Sequence, residues 1–365
     1  VGLQVDDVRD RGTNPMKIGM VSKFGEKDGI AIYSDSLVSA LRKKGTEVVT
    51  IGSKSSEADY MTDLKSFSLR RNLEKIIRKE KLQLLHFQYI AERSYYGLHT
   101  LNINLISALK QKVPVAVTLH EVHYKAAGLH ERIVKKLEEE VIKRAAAIIV
   151  HTKGQKEFIE KAYRTKKAIT IHMGVSMHPM HRKKGKNVLF FGMISELKGV
   201  EYLIGAMKWL RGYKLSIAGK AVSPKYAEEL AIRLKNSGGK SISKPIRMSL
   251  GWVPEGKKHE YFESSDILAL PYTRNPFQSA VLHDAMSYGL PVVVTRTGPI
   301  SEIVSEFQCG EVVEPRNGKA LADAIKKVHA GYKKYQEGVK RYRKEANWEK
   351  AAERHIKAYR KELMS

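Results

Sequence analysis

The chain has 365 residues, 42% hydrophobic and 28% charged, which excludes a disordered polymer and suits two ordinary domains better than one. Lys and Arg number 65 against 39 Asp and Glu, and the net charge of +26 favours an anionic partner: a phosphate-bearing small molecule, an acidic membrane face or nucleic acid. The longest apolar runs are too short to cross a bilayer, and the single Cys309 excludes an internal disulfide or a multi-cysteine metal site.

A lysine-rich solvated surface explains the charge equally well. No secretory leader pattern is recognisable, so a cytoplasmic setting is expected. Residues 1–15 read as a polar extension. Apolar runs then predict a strand from Lys17 to Val21, a helix from Ile30 to Lys44 and a strand from Glu47 to Ile51. A helix follows near Leu69 to Lys79, then strands near Leu82 to Phe87 and from Val115 to Leu119. Helix Glu131 to Arg144 and strand Ala146 to His151 complete a first round of alternation. Ser176 to Asn187 is basic and aperiodic and reads as an interdomain linker.

A second round begins with strand Val188 to Phe191, helix Val200 to Leu210, strand Lys214 to Ala218 and a helix near Lys225 to Asn236. Strands Ile246 to Leu250 and Ile267 to Leu270, helix Ser279 to Tyr288 and strand Pro291 to Thr295 follow. The expected class is α/β, with two doubly wound Rossmann-like domains facing across a cleft. The tail from Lys319 to Met364 has a helical pattern. From Arg316 to Ser365 it carries 15 Lys or Arg against 6 Asp or Glu.

Four positions attract attention. Gly29 stands where the chain turns from a strand into a helix N-terminus, which is either an anion-friendly place or a plain turn. His120 follows an apolar strand at the sheet's carboxyl edge, where hydrogen bonding or proton handling competes with a structural role. The stretch His120-Glu121-Val122-His123 lacks the spacing of a zinc metalloprotease helix. Lys198 sits at a helix start, out of step with the macrodipole unless an anion lies there; a surface lysine is the alternative. Asp284 lies on the helix that begins at Ser279, whose free N–H groups suit phosphate. By itself it reads as a solvated acid.

The order of KIGMVSKFGEKDGIAIYSDSLVSAL, VPVAVTLHEV, VLFFGMISELKGVEYLIGAM, SLGWVP, DILALPY and SAVLHDAMSYGLPVVVTRTGPISEIV, with the late Trp348, resembles GT-B glycosyltransferases of the large retaining family 4. The resemblance covers Met16 to about Tyr359. It implies transfer of a sugar from a nucleotide diphosphate sugar, UDP- or GDP-linked, with no metal and no cofactor. It also implies an acceptor-side domain over residues 16–175, a linker over 176–187 and a donor-binding domain over 188–344. A helix over 345–365 would cross back to the first domain.

Carried over by position, Gly29 lies in the loop that approaches the donor diphosphate, and His120 matches the histidine near the donor sugar and reacting centre. Lys198 matches the lysine that holds the diphosphate. Trp252 and Val253 match the stretch beside the base. Asp284 takes the place of a glutamate on the ribose hydroxyls, and Ser279, Ala280, Val281 and Leu282 supply helix-start amides. Three departures stand out. The first acid of the family's paired motif falls at Pro276, or at Asn275 if the Pro-Phe pair is matched. The family arginine falls at Met193, and the second glutamate is shortened to Asp284. A charge-assisted contact contributes roughly 1.5–3 kcal/mol, so Gln278, Arg274 or Arg296 would have to substitute.

A glycosyltransferase is therefore expected. The alternative is a catalytically impaired GT-B-like protein that binds nucleotide or sugar; a sugar phosphorylase or a nucleotide-sugar epimerase is a weaker alternative. Nucleic acid is a weak candidate, because no aromatic-rich RNA-binding motif accompanies the charge. A lipid-linked acceptor at an anionic membrane surface is weighed against a soluble sugar acceptor. Its basis is Arg42, Lys43 and Lys44, the cations Arg70, Arg71, Lys75, Arg78 and Lys79, and the segment Tyr89, Ile90, Tyr95, Tyr96 and Leu98. Those tyrosines are equally suited to lining the cleft.

Overall fold

Short apolar strands buried on both faces dictate parallel sheets covered by helices, and the computed structural model contains two of them. It describes residues 15–364 apart from 27, 91–95, 98–101, 125–127, 182–184, 238–245 and 275–277. The first half runs β1 (Lys17–Val21), α1 (Gly29–Lys43), β2 (Glu47–Gly52), β3 (Tyr60–Met61), α2 (Leu69–Glu80) and β4 (Leu84–Tyr89). It continues with α3 (Ile103–Ala108), β5 (Val115–Leu119), α4 (Leu129–Arg144), β6 (Ala147–Val150), α5 (Lys153–Ala162) and β7 (Ala168–Thr170). The seven strands pair in parallel in the order β3-β2-β1-β4-β5-β6-β7. Strand order therefore reverses at β1, between β2 and β4, which opens a crevice at the carboxyl ends of the strands.

The second half repeats the plan. It runs β8 (Asn187–Phe191), α6 (Val200–Ala206), β9 (Lys214–Gly219), α7 (Pro224–Ser237), β10 (Ile246–Leu250), α8 (Glu255–Glu263) and β11 (Ile267–Leu270). Then come α9 (Ala280–Tyr288), β12 (Val292–Thr295), α10 (Gly298–Phe307) and β13 (Gly310–Val313). The order β10-β9-β8-β11-β12-β13 reverses at β8. Three helices close the chain: α11 (Gly318–Ala330), α12 (Tyr332–Glu345) and α13 (Trp348–Leu363).

Several elements were not drawn from the sequence. β3 is two residues long, α5 buries only Gln155 and Ile159, and α8 is polar. Such elements carry too few apolar positions to show a period. The basic tail is less free than its composition implies. α13 packs on α1, where Lys44 Nζ lies 2.6 Å from Glu349 and 2.7 Å from Glu353. Tyr359 reaches His86 of β4 with a 2.6 Å contact. The stretch between the sheets is pinned as well: His181 N–H donates to Tyr288 O, and Arg343 donates to His178 O.

Candidate active site in the crevice between the two sheets

In the second domain, β8 is followed directly by Gly192 (φ +113°), a conformation that favours glycine. A short 3-10 turn, Glu196–Lys198, leads to Gly199 (φ +62°), where a Cβ would lie 2.1 Å from Pro271 O. That close approach lets Thr273 N–H donate to Leu197 O at 2.9 Å and seats Lys198 against the segment after β11. Lys198 therefore does not start the long helix, as its sequence position suggested; it ends the 3-10 turn before it. It is half-buried, with Nζ 3.7 Å from the centroid of the Tyr272 ring. Among the described residues no carboxylate pairs with it, and desolvation pushes its pKa down to about 8.

Tyr272 carries the arrangement onward, its hydroxyl 3.2 Å from Ser279 Oγ. Ser279 is the N-cap of α9, yet its side chain bonds no helix amide. The Ala280 and Val281 amides, in the first turn, have no intrahelical acceptor. Leu282 is a correction: its N–H closes a turn on Ser279 O at 2.9 Å and is not free for a ligand. Val281 Cγ2 lies 3.1 Å from where a Gly192 Cβ would be, so the glycine keeps the helix start against the β8 loop. Lys198, Tyr272, Ser279 and the start of α9 thus form one continuous surface.

Asp284, one turn on, pairs with Lys258 of α8 at 2.8 Å, so it is not the solvated acid it resembled in isolation. Lys258 was not singled out from the sequence, because the polar run around it gave no reason to expect α8. Trp252 is 63% exposed, and Val253 beside it is half-buried. Met193 is exposed and supplies no cation. Pro276 and Asn275 lie outside the described residues. Of the proposed substitutes, Arg296 is held by Glu314 at 2.6 Å and Gln278 Oε1 lies 3.4 Å from His283 Nε2. Arg274 approaches Glu131 of α4, in the first domain, at 3.9 Å.

The first domain's crevice is built differently. Gly29 begins α1, but the Asp28 carboxylate caps that helix by accepting from Ile30 N–H (2.8 Å) and Ala31 N–H (3.0 Å). The expectation of an open anion place at Gly29 is corrected: the chain's own carboxylate holds those donors. Lys23 lies 3.1 Å from Glu26 and 3.4 Å from Asp28. What Gly29 does offer is space, since an added Cβ would meet nothing within 4 Å.

His120 is only 4% exposed. Its Nε2 donates to Gln88 Oε1 (2.8 Å), and its Nδ1 faces His151 Nε2 (3.3 Å). The Tyr33 ring stands edge-on to it with centroids 4.8 Å apart. Burial, reinforced by neighbouring histidines, lowers its pKa well below the ordinary value. Both nitrogens are engaged, Nε2 with Gln88 and Nδ1 with His151, so the ring is held in a fixed orientation. His123 turns away to Glu138 at 3.2 Å, and among the described residues no three potential ligands converge on a metal position.

The surface patches drawn for a membrane also need correction. Arg42 is tied to Val48 O and Asp59, and Lys44 clamps α13. Tyr89, Ile90 and Tyr96 are buried in the core of the first domain rather than lining a cleft or an interface. Tyr95 and Leu98 lie outside the described residues. Arg71 and Lys75 of α2 remain exposed. No helix among the described residues is long and apolar enough to cross a membrane.

Comparison with known proteins adds three relatives. A glycosyltransferase of Methanocaldococcus jannaschii, itself described as uncharacterized, is 29% identical over 182 residues, 48% of this chain and 45% of that one. The phosphatidyl-myo-inositol mannosyltransferase of Mycobacterium leprae is 25% identical over 227 residues, 58% of this chain and 57% of that one. The match thus spans about half the length of these curated relatives. The Anabaena protein HepE, crystallised in complex with UDP-glucose, shares the fold at TM-score 0.69 and 14% identity, over 95% of this chain and all of that one. Residues 27–178 match the family described as Glycosyltransferase Family 4, and residues 178–346 match Glycosyl transferases group 1. Joined end to end over both sheets and the crevice between them, these matches show that the chain belongs to the GT-B glycosyltransferases.

Proposed function

We propose that the protein transfers a hexosyl group from a nucleotide diphosphate sugar, UDP- or GDP-linked, to a sugar or lipid-linked acceptor with retention of configuration. The observation that carries this reading is Lys198: a desolvated cation that pairs with no carboxylate among the described residues, beside first-turn amides of α9 that have no intrahelical acceptor. A diphosphate fits that need. As the bond from the anomeric carbon to the phosphate oxygen breaks, negative charge grows on the leaving diphosphate. Lys198 and the Ala280 and Val281 amides would stabilise it, and such preorganised terms are usually the largest in catalysis. Asp284, oriented by Lys258, would hold the ribose hydroxyls, with Trp252 and Val253 beside the base. Gly29 would let the donor approach the first domain, and His120 would bound the sugar. The HepE complex with UDP-glucose supports a donor of this kind.

Calorimetry with a panel of UDP- and GDP-sugars tests the reading; binding to none would remove it. Met193, exposed where the family has arginine, favours one competing reading: a nucleotide-binding protein without transfer. Nucleotide binding with neither donor hydrolysis nor transfer would establish it. The lipid-linked acceptor rests on the charge surplus and on the exposed Arg71 and Lys75 of α2. The name of the mycobacterial relative is in line with it. Cosedimentation with anionic and neutral vesicles decides: equal pelleting means a soluble acceptor.

A further inference from the structure

The N-terminus of α5 is capped from two directions. Thr152 is its N-cap, and its Oγ accepts from Gln155 N–H at 3.2 Å. Gln155 Oε1 in turn accepts from the N–H groups of His151 (3.0 Å) and Thr152 (3.1 Å). One donor of the first turn, Gly154 N–H, finds no partner in its own domain. It donates instead to Glu302 Oε2 at 3.1 Å, on α10 of the second domain, and the Thr152 hydroxyl also bonds that carboxylate. A negative group at a helix N-terminus is favourable on both hydrogen-bond and dipole grounds.

The contact is tight and reinforced. A Cβ on Gly154 would lie 2.5 Å from Glu302 Oε2, so only glycine lets the carboxylate reach the amide. Beside Gly154, Lys153 Nζ lies 2.6 Å from Glu306, one turn on from Glu302 along α10. His172 Nδ1 donates to His151 O at 3.0 Å, and its ring meets Phe307 of α10 with centroids 5.4 Å apart. Glu302 and Glu306 of α10 thus hold the start of α5 from the second domain, while His151 Nδ1 donates to Ile171 O at 2.9 Å within the first. His151 is the residue whose Nε2 faces His120. Burying a carboxylate is costly, and burial does raise the Glu302 pKa. The buried face of α10 is made of Pro299, Ile300, Ile303, Val304 and Phe307, so the fold does not need Glu302 for packing.

We propose that Glu302 is a positioning residue for the donor site: by completing the α5 cap across the domain interface, it holds His151 against His120. The docked second domain thus adds to the hold that Gln88 already has on His120 and Ile171 O on His151 (2.9 Å), which ties the sugar end of the site to the packing of α10 on α5. This rests on the reading that His120 bounds the donor sugar.

The test uses the full chain with Glu302→Ala, Glu302→Gln, Gly154→Ala and the double variant Gly154→Ala with Glu302→Ala. Glu302→Ala should lower kcat about tenfold or more, the scale of a small misplacement at a reacting centre. Its affinity for UDP, measured by calorimetry, should stay within about twofold, because none of the proposed nucleotide contacts is removed. Glu302→Gln keeps an oxygen for the Gly154 amide and should recover most of the rate. Gly154→Ala displaces the carboxylate and should mimic Glu302→Ala, and the double variant should be no worse than either alone, since both break one contact. Equal losses in kcat and UDP affinity, full activity in Glu302→Ala, or additive losses would overturn the proposal. Amide hydrogen exchange reads the contact without any donor. The Gly154 amide should exchange about tenfold faster in Glu302→Ala, the loss of roughly one hydrogen bond, and unchanged exchange would overturn the proposal. If the unmodified protein turns over no donor, the proposed function falls, and the exchange measurement alone decides whether Glu302 completes the α5 cap.

Discussion

The two crevices share one strand order and differ in electrostatics. Each sheet reverses direction beside its first strand, so topology alone predicts two equivalent ligand sites. The first domain neutralises its own: Asp28 caps α1, Lys23 faces Glu26 and Asp28, and the nearby imidazoles of His120 and His151 are neutral. The second, among the described residues, leaves Lys198 desolvated without a carboxylate and α9 without a side-chain cap. A helix start is an anion site only if the chain has not already filled it. On the proposed function, that difference favours the diphosphate at the second domain and the uncharged sugar at the first.

Acid should destabilise the fold through its buried histidines, which are more numerous in the first region but include His283 of α9 in the second. Burial lowers the pKa of both His151 and His355 to about 4, while the unfolded chain titrates near the ordinary value of 6.5. Between those values the unfolded state binds more protons, so stability is full above about pH 6.5 and falls as pH drops toward about 4. Each of the two histidines should cost roughly 1.4 kcal/mol per pH unit in that window. Melting temperature measured from pH 7.5 to 4.5 checks this, and a flat profile would show that the histidines are charged in the fold.

Lys198→Ala should come next in size. Transfer should fall about a hundredfold or more, the usual scale for losing one transition-state donor, with the melting temperature little changed. The intact lysine adds an alkaline signature: donor affinity should decline as pH rises through about 8, where the free protein loses that charge. An affinity that is level to pH 9.5 would mean Lys198 does not hold the diphosphate.

A smaller effect is expected at the ribose. Asp284→Ala and Lys258→Ala should both raise the donor KM about tenfold and leave kcat nearly unchanged, because ribose contacts exist in ground and transition states alike. A loss confined to turnover in either variant would place the pair elsewhere. The smallest effect belongs to the surface. Lys44→Glu should lower the melting temperature slightly, by the ~1 kcal/mol or less typical of exposed pairs, by loosening α13 from α1. Its binding to anionic vesicles should be unaltered, whereas Arg71→Glu with Lys75→Glu should weaken that binding if the acceptor is lipid-linked. Vesicle pelleting of the two variants side by side separates the two patches.

The sequence by itself determined the α/β class, the two rounds of strand and helix, and the linear segments of the donor site around Lys198 and Ser279. Those depend on short-range spacing, which every strand and helix must obey wherever it lies. The cap at Asp28, directly before the first helix, is legible by the same local logic. What the tertiary structure decided was which charges are already spent. Lys44 is matched by acids more than 300 positions away, Gly154 by a carboxylate 148 residues on, and Tyr89 and Tyr96 are core rather than surface. No periodicity encodes these facts, because whether a charge is free depends on which distant element lands beside it and on how much water that element excludes.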